Sequence, residues 1–398
     1  MARNQLIHPL PDGPFIDHLY AHVPFCAKKC AYCAFYSEAG SGALVNRYVA
    51  ALIREMELVA QDLRPRTVFF GGGTPSLLNL QQWRQIFQAM ERLRLLGAAE
   101  WTVECNPATV SADKAKLLRD SGVNRISMGV QSFDAALLDR LGRVHSREMI
   151  FKSFDILRKA GFDNVNIDLM FAIPGQTMEI WRKTLAEAVA LGSEHLSCYE
   201  VIYEEDTPLF EQLQAGKIGT DEGLACDMYE ELLAAAETAG FQQYEVSNFA
   251  RHFASIPGET PDHACQHNIN CWRGGSFYGL GPSAAGYVRG ARTRNWSNTT
   301  LYCEQLEQGK RAIEFSEELT PLARAGEIAA FGLRMTAGWP LTQFQQRTGF
   351  DLQGEWKSEI NRMLDLGYAT LDAKRFQLTR QGLRYADWAA SEFLRSSS

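Results

Sequence analysis

The sequence predicts an α/β protein, a partial (β/α)6 TIM-like barrel followed by a smaller winged-helix-like α+β module. Two patterns before residue 206 predict the barrel. Short apolar runs alternate six times with amphipathic stretches, at intervals of about 30 to 40 residues. That alternation reads as a parallel sheet covered by helices. Each run also ends on polar or small residues, and active groups of parallel barrels collect at the C-terminal ends of strands. Six units rather than eight leave one side open for a large ligand. A third pattern, helical stretches and a small hairpin beyond Ser316, predicts the second module.

The elements follow in order. Residues 19–23 read as a first strand stopped by Pro24, and they lead into Cys26-Ala-Lys-Lys-Cys30-Ala-Tyr-Cys33. Residues 43–63 place Leu44, Tyr48, Leu52, Met56 and Val59 at helical spacing. Residues 67–70 form a buried strand that runs into Gly71-Gly-Gly-Thr-Pro75, and a helix follows near 80–96. Residues 101–105 are the third strand, and Ser111 caps a helix reaching about residue 121. The fourth strand, 125–130, ends at Gln131, and a broken helical region covers 134–160. The fifth, 164–169, carries Asp168 near its end; a helix over 178–191 and a sixth strand over 195–201 complete the series.

Regularity lapses beyond residue 206. A helix is expected at 221–240, an extended segment at 244–248, a loop at 251–263, a Gly-rich stretch at 274–290 and a helix at 299–308. The terminal module reads as helices near 321–334, 341–348 and 354–366, then a hairpin of 368–371 and 375–378. The expected domains are therefore 1–206, 207–315 and 316–398.

Composition narrows the function classes. The 398 residues are 46% apolar and 22% charged, as in an ordinary globular protein. A net charge of −7 argues against nucleic-acid binding, and the basic residues of the terminal module are interleaved with acids. The first fourteen residues lack the apolar core of a signal peptide, and no run has the roughly 18 apolar residues of a membrane span. A cytoplasmic location is expected, so the clustered thiols read as metal ligands before disulfides.

The spacing C-x3-C-x2-C leaves three readings open. Three thiolates on one loop can hold three corners of a [4Fe–4S] cluster and leave one iron free. Alternatively, Cys26, Cys30, Cys33 and His22 could form a structural zinc site, or Cys30 and Cys33 a redox pair. The glycine turn at 71–73 lets backbone approach a ligand closely, or simply makes a sharp strand-to-helix turn. Glu104 can accept from a ribose hydroxyl or an ammonium group. Asp168 sits in an apolar strand where a carboxylate needs a partner, and Arg143 is a candidate for that partner or for a clamp on a ligand carboxylate. His267 lies within Cys265-Gln-His-Asn-Ile-Asn-Cys-Trp272. It could ligate haem iron, with Trp272 as a flat apolar face, or be a hydrogen-bonded loop histidine. His252 and His263 read as solvated loop residues; Cys105, Cys198, Cys226 and Cys303 read as small buried residues.

Taken together, these motifs resemble the radical S-adenosylmethionine (SAM) superfamily. The cysteine loop with Tyr32 before its third cysteine, and Gly71-Gly-Gly-Thr-Pro75, carry that resemblance. Glu104-Cys-Asn-Pro107, Gly129-Val-Gln-Ser-Phe133, Leu141-Gly-Arg143 and Asn166-Ile-Asp-Leu169 resemble its oxygen-independent coproporphyrinogen III oxidase branch, over nearly the whole chain. The resemblance implies that Cys26, Cys30 and Cys33 hold a [4Fe–4S] cluster and that SAM chelates its open iron. Gly72, Gly73 and Thr74 would receive the methionyl part, and Tyr20 and Glu104 would contact the same SAM. Gln131, Arg143 and Asp168 match positions that hold a second SAM. The reduced cluster would break a SAM carbon–sulfur bond to give a 5′-deoxyadenosyl radical, with the protein supplying orientation and exclusion of water.

Three departures separate this chain from the oxidase itself. Phe35 stands where the oxidase has a fourth cysteine, and only 25 residues precede Cys26. Residues 265–272 resemble the H-N-x-x-Y-W haem-binding motif of the branch's haem chaperones, the HemW group, with Cys271 in place of the tyrosine. That resemblance implies haem bound near His267 and passed to acceptor haemoproteins, among them respiratory membrane proteins. It also implies a peripheral visit to the membrane and a homodimer. Oxidation of coproporphyrinogen III, in which two propionates become vinyl groups, is the second reading.

Overall fold

The computed structural model describes residues 13–252 and 260–396. Features read at 1–12, 253–259 and 397–398 lie outside the described residues.

Six strands alternate with helices. In order these are β1 (Ile16–Val23), α1 (Gly42–Val59), β2 (Leu63–Gly72), α2 (Leu80–Arg92), β3 (Glu100–Cys105) and α3 (Ala112–Asp120). There follow β4 (Arg125–Gln131), α4 (Ala135–Arg140), α5 (Arg147–Lys159), β5 (Val165–Phe171), α6 (Met178–Ala190) and β6 (His195–Glu200). All adjacent pairs from β1 to β6 are parallel. The helices begin where the sequence supplies a cap. Ser41, Asn79, Ser111, Asp134, Ser146 and Thr177 each accept a backbone N–H from the first turn. Strands β3 and β4 are buried at nearly every position, because helices cover one face and side chains fill the other. Phe70, Trp83, Phe87 and Trp101 interlock under α2, with Phe70 and Trp83 ring centroids 5.3 Å apart.

The six-unit reading holds, with shifted edges. Helix α1 stops at Val59, and β2 starts at Leu63 rather than at residue 67. Arg64, Pro65 and Arg66 hide the start of that strand, and its pairing with β1 slips there, from Ile16–Leu63 to His18–Thr67. The region beyond residue 206 is more ordered than its composition suggests. After α7 (Pro208–Gln214) and α8 (Glu222–Thr238), residues 244–248 are not one extended segment. They hold the turn of a hairpin, β7 (Phe241–Glu245) and β8 (Asn248–Arg251), which joins β6 antiparallel. A short helix α9 (Gln266–Trp272) precedes β9 (Tyr278–Leu280), which adds parallel to β1 and completes a nine-stranded sheet. The Gly-rich stretch became strand because backbones touch there: a Cβ on Gly279 would stand 1.9 Å from the Ala285 carbonyl oxygen.

A second sheet comprises β10 (Ala285–Val288), β11 (Ala291–Asn295) and β12 (Ile313–Glu318), with α10 (Thr299–Glu307) between the last two. Strand β12 crosses the 315/316 boundary drawn from the sequence. Glu55 of α1 fastens this region to the barrel. Its fully buried carboxylate accepts from Gly281 N (2.8 Å), Asn295 Nδ2 (2.9 Å) and Tyr302 Oη (2.8 Å), with Arg311 at 3.7 Å. Glu55→Ala strands all four groups, so a loss of about 3 kcal/mol or more is expected in urea-unfolding midpoints.

The terminal module holds α11 (Pro321–Gly332), β13 (Trp339–Pro340), α12 (Leu341–Thr348), α13 (Leu352–Glu355), α14 (Lys357–Asp365), β14 (Ala369–Leu371), β15 (Arg375–Leu378), α15 (Arg380–Leu383) and α16 (Ala386–Phe393). Its three-stranded sheet, ordered β13-β15-β14, and its helices match the winged-helix-like expectation. The third strand and last two helices were not read from the sequence. The core is Trp339, Phe344, Trp356, Phe376 and Phe393. The module is tied to the barrel by backbone bonds from Val246 N to Arg334 O (3.1 Å) and from Thr336 N to Tyr244 O (3.0 Å).

Candidate functional site at the barrel mouth

The C-terminal ends of β1 to β6 surround one cavity of about 550 Å³. The loop from Pro24 to Glu38 leaves β1 and returns to it: Cys26 N donates to Glu38 O (3.1 Å), and Glu38 N donates to Pro24 O (2.8 Å). The loop is pinned across the mouth by Ala31 N to Leu141 O and by Leu209 N to Ala31 O, both 2.9 Å. Cys26, Cys30 and Cys33 are therefore held on one wall, each partly exposed to the cavity. Both nitrogens of His22 are engaged, Nδ1 with Tyr20 Oη (3.0 Å) and Nε2 with Tyr36 O (2.9 Å). His22 is thus not a fourth ligand. Among the described residues, no three His, Cys, Asp or Glu side chains converge on a single metal ion.

The glycine turn forms the next wall. Gly73 N donates to Val23 O and Thr74 N to Phe25 O, both 2.8 Å. A Cβ on Gly73 would lie 2.7 to 2.9 Å from backbone atoms of Val23 and Phe25, so only glycine lets the turn touch the cysteine loop. Thr74 Oγ1 lies 3.5 Å from Cys26 Sγ. Gly72 N donates to Glu104 Oε2 (3.1 Å).

The floor is polar and charged. Burial, then the Asp168 charge, pushes the Glu104 carboxyl up to about 8. Burial pushes Asp168 up to about 6, although Asn166, Arg125 and Ser127 pull the other way. Asp168 accepts from Asn166 Nδ2 (2.7 Å) and Ser127 Oγ (3.3 Å), not from Arg143, so the expected direct pair is absent among its hydrogen bonds. Arg143 instead donates to Gly129 O (2.5 Å) and Cys30 Sγ (3.4 Å). Burial opposes its charge, but Tyr32, Cys30 and Asp168 outweigh that and raise its pKa. Arg143 Nε and Arg125 Nε are buried without a partner among the described residues. Gln131 lines the floor in a left-handed conformation, φ 70°. Tyr32 also lines the cavity, and burial raises its phenol pKa.

This donor set fits a zwitterionic ligand beside an iron–sulfur cluster. Three thiols, under-used carboxylates and orphaned guanidinium N–H groups face one space. The Glu104 pKa makes a testable demand. Between the ordinary carboxylate range and about 8, the folded chain holds a proton on Glu104 that the unfolded chain has lost, so stability falls as pH rises through this window. A cationic ligand donor is held more strongly by ionised Glu104 than by its protonated form. Affinity for an ammonium-bearing ligand is therefore expected to rise with pH towards 8, by at most about tenfold per unit, then level off. Glu104→Gln should flatten the profile and weaken binding at pH 8; anaerobic equilibrium dialysis reads both.

Tyr20 does not line the cavity. It stands one layer below, with ring centroids 6.1 Å from Phe69 and 6.5 Å from His267. His267 occupies the same lower layer, because α9 crosses beneath the early residues of β1 to β3. Glu100, the first residue of β3, caps α9 by accepting from Gln266 N (2.8 Å) and His267 N (2.9 Å). Thr67 Oγ1 lies 2.8 Å from both His267 Nδ1 and His18 Nδ1. Burial lowers the His267 pKa to about 4, leaving the neutral imidazole that iron ligation requires. The neighbouring Asn268 reaches the cavity floor. One face of Trp272 is taken by the Arg334 guanidinium, 4.7 Å over its ring. Arg273 Nη1 and Arg347 Nη2 hold the end of α9 to the terminal module, donating to Gly338 O (2.6 Å) and Gly274 O (2.5 Å). His252 is not simply solvated either: its Nδ1 lies 3.4 Å from Asp262 Oδ2, and its side chain is 10% exposed.

Sequence reasoning passed over Glu100, Arg125, Ser127, Ser197 and Asn268. The first two break apolar strands with charge, which is a readable signal. The others are ordinary polar residues whose convergence needs the fold.

The chain is similar to known proteins over most of its length. A family model described as the radical SAM superfamily matches residues 20–188, and one described as the HemN C-terminal domain matches residues 319–385. The haem chaperone HemW of Bacillus subtilis is 33% identical over 91% of this chain and 95% of that protein. HemW of Escherichia coli is 32% identical over 94% and 97%. Among solved structures, coproporphyrinogen III oxidase (HemN) of E. coli, described as a radical SAM enzyme, superposes with a TM-score of 0.80 at 21% identity. It covers 96% of this chain and 91% of that one, which shows a shared fold. This chain belongs to the radical SAM superfamily and, within it, to the family of the HemW proteins.

Proposed function

We propose that the protein binds haem and passes it to acceptor haemoproteins, and that the barrel mouth holds a [4Fe–4S] cluster and SAM. The observation that carries this reading is the near full-length similarity to proteins named as haem chaperones. Cys26, Cys30 and Cys33 would hold the cluster, and Gly72, Gly73, Thr74 and Glu104 the SAM beside it. Gln131, Arg143 and Asp168 would hold a second SAM deeper in the cleft. When bound, these groups supply one-electron cleavage of a sulfonium carbon–sulfur bond. The protein's own part is to orient the ligand, offer Glu104 and Asp168 as acceptors, and keep the Arg143 charge beside Cys30.

His267 is the proposed haem ligand, and its burial sets a condition. Nδ1 is engaged by Thr67 and the ring is 4% exposed, so ligation requires α9 to leave the floor. Acceptors in the respiratory membrane, a peripheral membrane visit, a homodimer and a cytoplasmic location belong to the same proposal. Among the described residues, no helix is long and apolar enough to cross a membrane.

The oxidase fold favours a second reading, conversion of coproporphyrinogen III. Phe35 speaks against it: its ring is 69% exposed at the rim, two positions past Cys33. Anaerobic incubation of the reconstituted protein with SAM and coproporphyrinogen should give no protoporphyrinogen, while haem titration should shift the Soret band and saturate. Product formation with no Soret change reverses the assignment.

A further inference from the structure

One continuous line of hydrogen bonds runs from the cleft floor to the helix that carries His267. Asn166 Nδ2 donates to Asp168 Oδ1 (2.7 Å). His195 Nδ1 donates to Asn166 Oδ1 (2.6 Å), since that carbonyl oxygen can only accept. His195 Nε2 is then the acceptor of its neutral ring and takes the Tyr244 hydroxyl proton (2.8 Å). Tyr244 Oη in turn accepts from Cys265 N (3.1 Å), at the N-cap of α9. Every donor therefore points towards the Asp168 carboxylate. His195 is fully buried and Asn166 and Tyr244 nearly so, which shields the line from water. Ser197 Oγ spends its one proton on Asn248 Oδ1 (2.5 Å) and so leaves Asn166 Oδ1 (3.1 Å away) to His195. Tyr244 continues to the terminal module through its backbone, with Thr336 N on Tyr244 O and Arg334 Nη2 3.5 Å from Glu245.

The direction of the donors gives the coupling a sign. Linked hydrogen bonds polarise one another, so the Asp168 negative charge strengthens each link up to Cys265. A ligand that brings its own donors to Asp168 competes with Asn166 and weakens the far end of the line. Glu100 holds the same turn of α9 independently, so the line biases the helix without holding it alone.

We propose that SAM occupancy at Asp168 loosens α9 through Asn166, His195 and Tyr244, and so exposes His267 to haem. This rests on the reading of the cleft as the SAM site and of α9 as the haem site. It adds that the two sites are linked, and linkage is reciprocal: haem must tighten SAM by the factor by which SAM tightens haem.

The test is hydrogen–deuterium exchange across residues 263–273 of the full-length, cluster-reconstituted protein, with and without SAM. SAM binding is confirmed by dialysis of the same sample. The wild type should exchange about fivefold faster or more when SAM is bound, a factor at the low end of ordinary coupling energies. Tyr244→Phe, which keeps the ring and removes the link, should abolish that difference while SAM affinity stays within about twofold. Unchanged exchange in the wild type with SAM bound overturns the coupling, whether or not the variant folds. A SAM response that survives in Tyr244→Phe overturns the route. Absence of SAM binding overturns the reading of the cleft and the coupling with it. Haem added to both samples separates the remaining case: faster exchange with no Soret shift keeps the coupling and removes haem as the occupant of α9.

Discussion

Cys30→Ala should leave the purified, anaerobically reconstituted protein colourless, with iron falling from about four per chain to near zero. The geometry makes this the largest single effect on the cleft. Two remaining thiolates cannot hold three corners of a cluster, and Cys30 is the cysteine beside the Arg143 guanidinium, at 3.4 Å. The loop should stay in place without the cysteine, because backbone bonds pin it at Cys26, Ala31 and Glu38. The melting temperature of the iron-free variant should therefore match that of iron-free wild type. Cys303→Ala is the control: this thiol is buried in α10, away from the mouth, and its loss should leave the iron count unchanged. Wild-type iron in Cys30→Ala would show that the cluster is held elsewhere.

His267→Ala should weaken haem binding at α9 by about 100-fold or more, read as loss of the saturable Soret shift, since no axial ligand remains there. The same change leaves Thr67 with one partner fewer in a buried layer, and should cost about 1 to 3 kcal/mol of stability. The two effects are separable. A merely structural role would lower the unfolding midpoint and leave haem affinity intact. Restoration of the Soret shift by free imidazole would assign the lost affinity to the ring itself. If His267→Ala binds haem as tightly as wild type, the ligand is another residue.

Much of this was legible before the fold was known, for a physical reason. The barrel is built from local repeats, and each cap, strand run and glycine turn is written in a few adjacent residues. Ser111 capping α3 is one case; residues 341–348, which form α12 as read, are another. The site cysteines and Gly72 to Thr74 are likewise contiguous. What escaped depends on distant neighbours. Strand β9 is three residues long in a Gly-rich stretch, and exists because β1 offers an edge. Residues 244–248 looked like one extended run because the turn at Val246 and Ser247 has no glycine or proline to mark it. Asp168 was readable as a buried carboxylate, but its partners Ser127 and Asn166 were not, because an intrastrand and a cross-strand neighbour outcompete the more obvious arginine. His267 was singled out by its motif, whereas its place beneath the cleft follows only from how α9 crosses the strands.

Handing haem on, rather than merely holding it, is what the proposed function requires of this protein. Haem-loaded protein mixed with an apo b-type cytochrome, followed by the acceptor's absorbance at several acceptor concentrations, tests it most directly. Handover through a complex predicts a transfer rate that rises with acceptor concentration and exceeds the rate at which the loaded protein loses haem to a passive scavenger. A rate independent of acceptor, equal to that loss, would contradict the chaperone account.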